Sequence, residues 1–186
     1  MTPAGQRSAI LDARAITRAL EHMAVGITEL AGKDGAHSLM LVGIQRRGVE
    51  LADRLSTLIA SRTGVPVSRG ALDITLYRDD LATVGPKPLV GETRIPGDLS
   101  GKCVVIVDDV LYTGRTIRAA LDELTDFGRP ARIGLAVLID RGGRELPIQA
   151  DVVGKAVTAG PNDRVDVLLS ELDGRDAVEL VTGAGT

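Results

Sequence analysis

Three short, nearly unbroken apolar runs constrain this chain most: "SLMLVGI" at 38–44, "KCVVIV" at 102–107 and "IGLAVLI" at 133–139. Continuous apolarity over so few residues marks strands that are buried on both faces. Segments of helical period surround them. Asp12 stands where it can cap a first helix, in which Ile16, Leu20, Met23, Ile27 and Leu30 recur until Gly32. Gly48 opens a second helix, with Leu51, Leu55, Leu58 and Ile59 on one face. Ile117, Ala120, Leu121, Leu124 and Phe127 mark a third, ended by "GRP" at 128–130. "ALDITLY" at 71–77 alternates and predicts a further strand, and "VDVLL" (165–169) and "AVELV" (177–181) predict short ones. Buried strands alternating with amphipathic helices predict an α/β protein with a central parallel sheet covered on both faces. Ligands of such sheets bind at the carboxyl ends of the strands, so the turns after Ile44, Val107 and Ile139 are where function is expected.

The length, 186 residues, suits one domain. Residues 78–101 interrupt the alternation with three Pro, four Gly and many charges, and a loop of this length in a compact domain is usually functional. The net charge of -3 recruits no nucleic acid globally, and an aromatic content of 2% leaves few rings for stacking bases. One cysteine, Cys103, provides neither a disulfide nor a zinc cluster, and two distant His residues do not suggest a His-based metal site. No signal peptide or membrane-spanning run is evident, which predicts a cytoplasmic protein.

The most informative string is "VVIVDDVLYTGRT" at 104–116. Backbone N–H groups of Val110, Leu111, Tyr112, Thr113, Gly114, Arg115 and Thr116 can converge on an anion, aided by the positive end of the following helix. It is neither a Walker loop, which needs Gly-Lys-Ser/Thr, nor a G-x-G-x-x-G dinucleotide turn. Asp108 and Asp109 would repel a phosphate, so they must hold another part of the ligand. Carboxylates accept from vicinal hydroxyls and help hold Mg²⁺. A ribose 5-phosphate satisfies both halves. A simple helix cap would need one acidic residue, not two.

This string resembles the phosphoribosyl-pyrophosphate signature of type I phosphoribosyltransferases. "LVGIQRRG" (41–48) resembles their pyrophosphate loop. "LDITLYRDDL" (72–81), "DFGRPARIGLAVLIDRGGRELPIQAD" (126–151) and "VGK" (153–155) resemble the PyrR family of pyrimidine operon attenuation regulators, which are also uracil phosphoribosyltransferases. The resemblance covers most of residues 10–181. It implies the type I phosphoribosyltransferase fold in a single domain over 1–186. Within it, 72–101 contains a mobile catalytic loop, with 79–95 as the moving lid, and residues from about 140 to 186 contribute to a small hood. It also implies formation of UMP from uracil and phosphoribosyl pyrophosphate with Mg²⁺, binding of a pyrimidine leader mRNA, and a homodimer or larger homo-oligomer.

Residue by residue, the resemblance places the departing pyrophosphate on Arg46, Arg47 and Gly48, with Arg47 favoured because the family typically has Thr at the position of Arg46. Arg78 would lie at the mouth of the mobile loop, and Asp79 and Asp80 would order that loop or meet Mg²⁺. Ile139, Arg141 and Val165 would wall the uracil pocket, with Arg144 as a further inward candidate. RNA would meet Arg14, Arg18, Arg144 and Lys155. The RNA face departs from the family pattern at four positions. Glu21, Val25, Gly143 and Gln149 stand where the family offers polar or basic groups, so RNA affinity is expected to fall below that of a typical member. Alternatives are a regulator with weak or lost transferase activity and a phosphoribosyltransferase for another base. A phosphoribosyl-pyrophosphate synthetase would need a longer chain, and a receiver domain would need no ribose-phosphate cup.

Overall fold

The computed structural model describes residues 6–77 and 91–183, so Arg78, Asp79, Asp80 and most of the 79–95 segment lie outside the described residues. The elements run β1 (Gln6–Asp12), α1 (Ala13–Leu30), β2 (Leu39–Ile44), α2 (Arg47–Thr63), β3 (Ser68–Leu72), β4 (Cys103–Leu111), α3 (Arg115–Leu124), β5 (Arg132–Asp140), β6 (Val152–Ala156), β7 (Arg164–Leu168), α4 (Ser170–Asp173) and β8 (Ala177–Thr182). A five-stranded sheet in the order β3-β2-β4-β5-β6 is parallel throughout. A three-stranded antiparallel sheet, β1-β8-β7, forms the hood. No helix among the described residues is long and apolar enough to cross a membrane.

The apolar runs are continuous because successive residues feed opposite faces of the sheet. Leu39, Leu41, Val105, Val107, Ala136 and Leu138 pack with α1 and α2 in one core. Met40, Val42, Ile44, Val104, Ile106, Leu135 and Val137 pack with Ile117, Ala120 and Leu124 of α3 in the other. Asp12 caps α1 as its position predicts: its Oδ1 accepts the Ala15 N–H at 2.8 Å.

Three features differ from the sequence expectation. The strand predicted over 71–77 ends at Leu72, and Ile74–Tyr77 form a 3-10 turn. Asp73 causes the switch, because its Oδ1 accepts the Thr75 N–H at 2.9 Å and the Thr75 hydroxyl at 2.5 Å, replacing strand pairing with a local turn. β1 has no sequence signature because nearly all of its side chains are exposed, so no alternation marks it. The hood therefore combines this N-terminal strand with β7 and β8, whereas β6, inside the 140–186 region expected to build the hood, completes the parallel sheet.

The first turn of α2 lies against the backbone of β2 and β4. A Cβ on Gly43 would overlap the Gly48 carbonyl and the Val49 Cα, and a Cβ on Gly48 would overlap the Val107 carbonyl oxygen. The close backbone approach that Gly48 permits is thus made by the protein's own strand. Gly48→Ala must push α2 off the sheet, and we expect a loss of about 1–3 kcal/mol in unfolding free energy, measured by urea denaturation.

Candidate functional site

The carboxyl ends of β2 and β4 face β7 of the hood across a cavity of about 270 Å³ lined by Arg47, Asp109, Val165, Asp166, Val167 and Leu168. Strand β4 continues through the acidic pair to Leu111, so Asp108 and Asp109 are strand residues whose side chains alternate. Asp108 is only 6% exposed. Its Oδ1 accepts the Asp109 N–H at 2.9 Å, and Asp109 Oδ1 accepts the Val110 N–H at 2.9 Å. Burial pushes the Asp108 carboxyl well above the ordinary carboxylate range, and the neighbouring Asp109 charge adds to the rise. Burial also raises Asp109, against the pull of its hydrogen bonds and of the Arg47 charge.

Arg47 reaches the cavity from the first residue of α2, after a cis peptide between Gln45 and Arg46. Its Nη2 donates to both oxygens of Asp173, at 2.9 and 3.1 Å. Its Nε is buried and has no hydrogen-bond partner among the described residues. A buried guanidinium N–H without an acceptor is costly, so this atom marks a place where a ligand acceptor fits. Arg46 is exposed and does not line the cavity.

Residues 110–116 wrap the end of β4 into α3. Val110 and Leu111 pack into the two cores, Tyr112 is exposed, and Thr113 and Thr116 are half-buried. Gly114 is the N-cap of α3 at φ +93°, a conformation open mainly to glycine. No acidic residue occupies the first turn of α3, so the positive end of its dipole is left to an anion. A Cβ on Gly114 would approach Ile148 and Leu146 at 3.3–3.4 Å, so the residue serves the turn and its packing against that segment. The Thr113 carbonyl accepts the Glu145 and Leu146 N–H groups at 3.0 and 3.1 Å, and Arg115 Nε donates to Glu145 at 2.7 Å. The 141–148 segment therefore braces the cup from behind.

That bracing engages several residues that the resemblance offers as ligand or RNA contacts. Arg144 Nε donates to the Ile148 carbonyl at 2.8 Å, Nη1 to the Tyr112 carbonyl at 3.0 Å and Nη2 to Asp140 at 2.6 Å. Its guanidinium is used within the fold, not turned outward to RNA. Arg141 is buried; it lies 4.0 Å from the Tyr112 ring centroid and donates to the Gly160 carbonyl at 2.9 Å. Ile139 lies wholly inside the core because its strand is covered on both faces, whereas Val165 does line the cavity. A Cβ on Gly143 would strike the Tyr112 ring. Arg14 and Arg18 on α1, Lys155 on β6, Glu21 and Gln149 are exposed, and Val25 is half-buried. Sequence reasoning missed Asp173, Asp166 and Asp140. For Asp173 the available signal is that Arg47 and Arg54 stand two helical turns apart on one face of α2, and for Asp140 that Arg144 follows four residues later.

The buried pair has a measurable consequence. Its raised carboxyls make ionisation unfavourable in the folded state, so the fold loses stability as pH rises through the folded-state values. Asp108→Asn keeps an acceptor for the Asp109 N–H and removes the buried charge. We expect the variant to be more stable than the parent at pH 8 by about 1 kcal/mol, with the difference vanishing near pH 4. Thermal melts at the two pH values measure it.

Comparison with known proteins follows the same lines. The phosphoribosyl transferase domain family matches residues 6–164. The chain is 55% identical to the bifunctional protein PyrR of Thermus aquaticus over 94% of this chain and 95% of that protein. It is 54% identical to the bifunctional protein PyrR of Chloroflexus aurantiacus over 97% and 98%. The hypoxanthine phosphoribosyltransferase of Trypanosoma cruzi shares the fold with a TM-score of 0.71 at 19% identity, covering 94% of this chain and 95% of that one. A parallel sheet carrying a carboxylate pair ahead of a glycine-capped helix, an arginine at the adjacent strand end and these relatives agree: the chain belongs to the phosphoribosyl transferase domain family and, within it, to the PyrR proteins.

Proposed function

We propose that this protein is a cytoplasmic, homo-oligomeric uracil phosphoribosyltransferase that also regulates pyrimidine operons by binding leader mRNA. The observation that carries the transferase reading is the cavity lined by Asp109 and Arg47, one of whose buried N–H groups has no acceptor among the described residues. The 5-phosphate of phosphoribosyl pyrophosphate enters the cup at 110–116, and its ribose hydroxyls donate to Asp108 and Asp109. The diphosphate meets Arg47, whose planar fork suits phosphate oxygens. Uracil then lies against Val165, with the Arg141–Tyr112 stack as the firm wall of the base end. The bond from the anomeric carbon to the diphosphate breaks and a bond to uracil N1 forms. The N1 proton is lost, and UMP and pyrophosphate leave.

The protein's contribution is orientation and charge placement. The sugar gains positive charge as the diphosphate departs, and the buried carboxylates lie beside it. Among the described residues no group of three or more His, Cys, Asp or Glu could hold a metal ion alone. Mg²⁺ therefore fits as the companion of the diphosphate, with Asp108 and Asp109 able to contribute through ligand oxygens. When bound it neutralises the diphosphate charge.

We expect UMP formation from uracil, phosphoribosyl pyrophosphate and Mg²⁺, and little product with hypoxanthine, adenine or orotate. A preference for another base would overturn the assignment of uracil. In Asp109→Asn, kcat/KM should fall about tenfold or more, since a hydrogen bond to a charged group contributes roughly 1.5–3 kcal/mol. The carboxylates must be ionised to accept both hydroxyls, so ribose 5-phosphate affinity should weaken as pH falls through their raised values, which calorimetry across pH 5–8 would follow.

The regulatory half of the proposal is supported by the family and by exposed Arg14, Arg18 and Lys155. With Arg144 engaged internally and Gly143, Glu21 and Gln149 adding no positive charge, the surface offers few phosphate contacts. A titration of the protein with its own pyrimidine leader RNA at two salt concentrations, with and without UMP, should give weak, salt-sensitive binding with a shallow slope. Tight, UMP-stimulated binding at physiological salt would place regulation ahead of catalysis.

A further inference from the structure

The two arginines of α2 that meet the hood are used very differently. Arg54 is saturated: Nε donates to Glu171 at 2.9 Å, Nη1 to Asp176 at 2.8 Å, and Nη2 to Ser170, Glu171 and Asp176 at 3.0, 2.5 and 2.8 Å. Those carboxylates raise its guanidinium above the ordinary value. Among the described residues Arg47, two turns earlier, has only Asp173 on Nη2, while Nε is buried with no acceptor. Asp173 does not depend on Arg47 for its place, because its Oδ2 also accepts the Leu169 N–H at 2.9 Å. Arg54 thus fixes the α4 turn to the core whether or not Arg47 is paired.

We infer that Asp173 is an internal competitor of pyrophosphate for Arg47, and so sets how tightly diphosphate-bearing ligands are held. Both Asp173 oxygens sit on Nη2 alone, so the carboxylate takes one of the two nitrogens that a phosphate would bridge and leaves the other, Nε, unpaired. A phosphate that bridges Nε and Nη2 must share or displace the Asp173 contact on Nη2. Asp173 thereby weakens diphosphate binding and favours its release, and it acts through Arg47 as a positioning residue. The ligand chemistry is a diphosphate; a monophosphate in the cup at 110–116 does not meet Asp173. This inference rests on the reading that Arg47 receives the diphosphate.

The test is calorimetry of inorganic pyrophosphate with Mg²⁺, and separately of UMP, on the full chain and on Asp173→Asn. The amide still accepts from Leu169, and Arg54 still holds the turn. We expect pyrophosphate to bind about two- to fivefold tighter, the change that corresponds to losing a partly exposed ion pair. UMP affinity should be unchanged, and KM for phosphoribosyl pyrophosphate should fall by the same factor. A merely structural role can only weaken binding, and would weaken both ligands. Unchanged or weaker pyrophosphate binding, or a parallel change for UMP, would overturn the inference. Should the amide variant melt below the assay temperature, Asp173→Ser keeps an acceptor for Leu169 and gives the same comparison. A parent protein that binds UMP but no pyrophosphate would overturn the role of Arg47. One that binds neither would overturn the transferase reading itself.

Discussion

The site depends on one backbone contact: the first turn of α2 rests on β2 and β4 where Gly43 and Gly48 carry no side chain. That contact fixes the height of α2 above the sheet. It brings the first helical residue, Arg47, from the end of β2 to the end of β4, where Asp109 faces the same cavity. Parallel pairing supplies the other half of the placement. Gly43 is in register with Val107, so β2 ends level with the acidic pair, while β4 and β5 pair on to Leu111 and Asp140. A register slip of one residue would turn each acidic side chain to the opposite face.

Burying two adjacent carboxylates at such a point works against stability. Their raised proton affinity shows that the fold alone does not compensate their charge. Sites built for ligands commonly carry groups whose ionisation the empty fold disfavours. The Nε of Arg47 belongs to the same class: a buried donor with no acceptor among the described residues. A guanidinium and a carboxylate thus line one cavity.

The hood joins the core through Leu11, Val165, Val167, Leu169 and Val178, and charge pins its α4 turn. Arg54 binds the α4 turn through three partners, and Arg47 touches it through one. Behind the cup, the 141–148 segment is tied to Tyr112 and Thr113 by Arg144, Glu145 and Leu146, with Arg141 stacked on the ring. Arg144 is thus spent on the fold, whereas Arg141 keeps a buried Nε with no partner among the described residues.

The sequence by itself determined the parallel sheet, its three helices and the acidic pair ahead of the cup. Each is written in local order: apolar runs of strand length, 3.6-residue periodicity, and a glycine where the chain must turn. Asp12 capping α1 was legible for the same reason. Tertiary structure decided what local order does not encode. β1 carries no apolar alternation, and only pairing with β8 makes it a strand. Asp73 ended β3 through a side-chain turn. Arg144 and Arg141 turned inward, Ile139 joined the core, and Asp173 came to Arg47 from 126 residues away. An arginine has the same sequence whether it faces phosphate, RNA or a carbonyl. Its role is set by which acceptors the folded chain brings within about 3 Å of its donors, and that distance exists only in three dimensions.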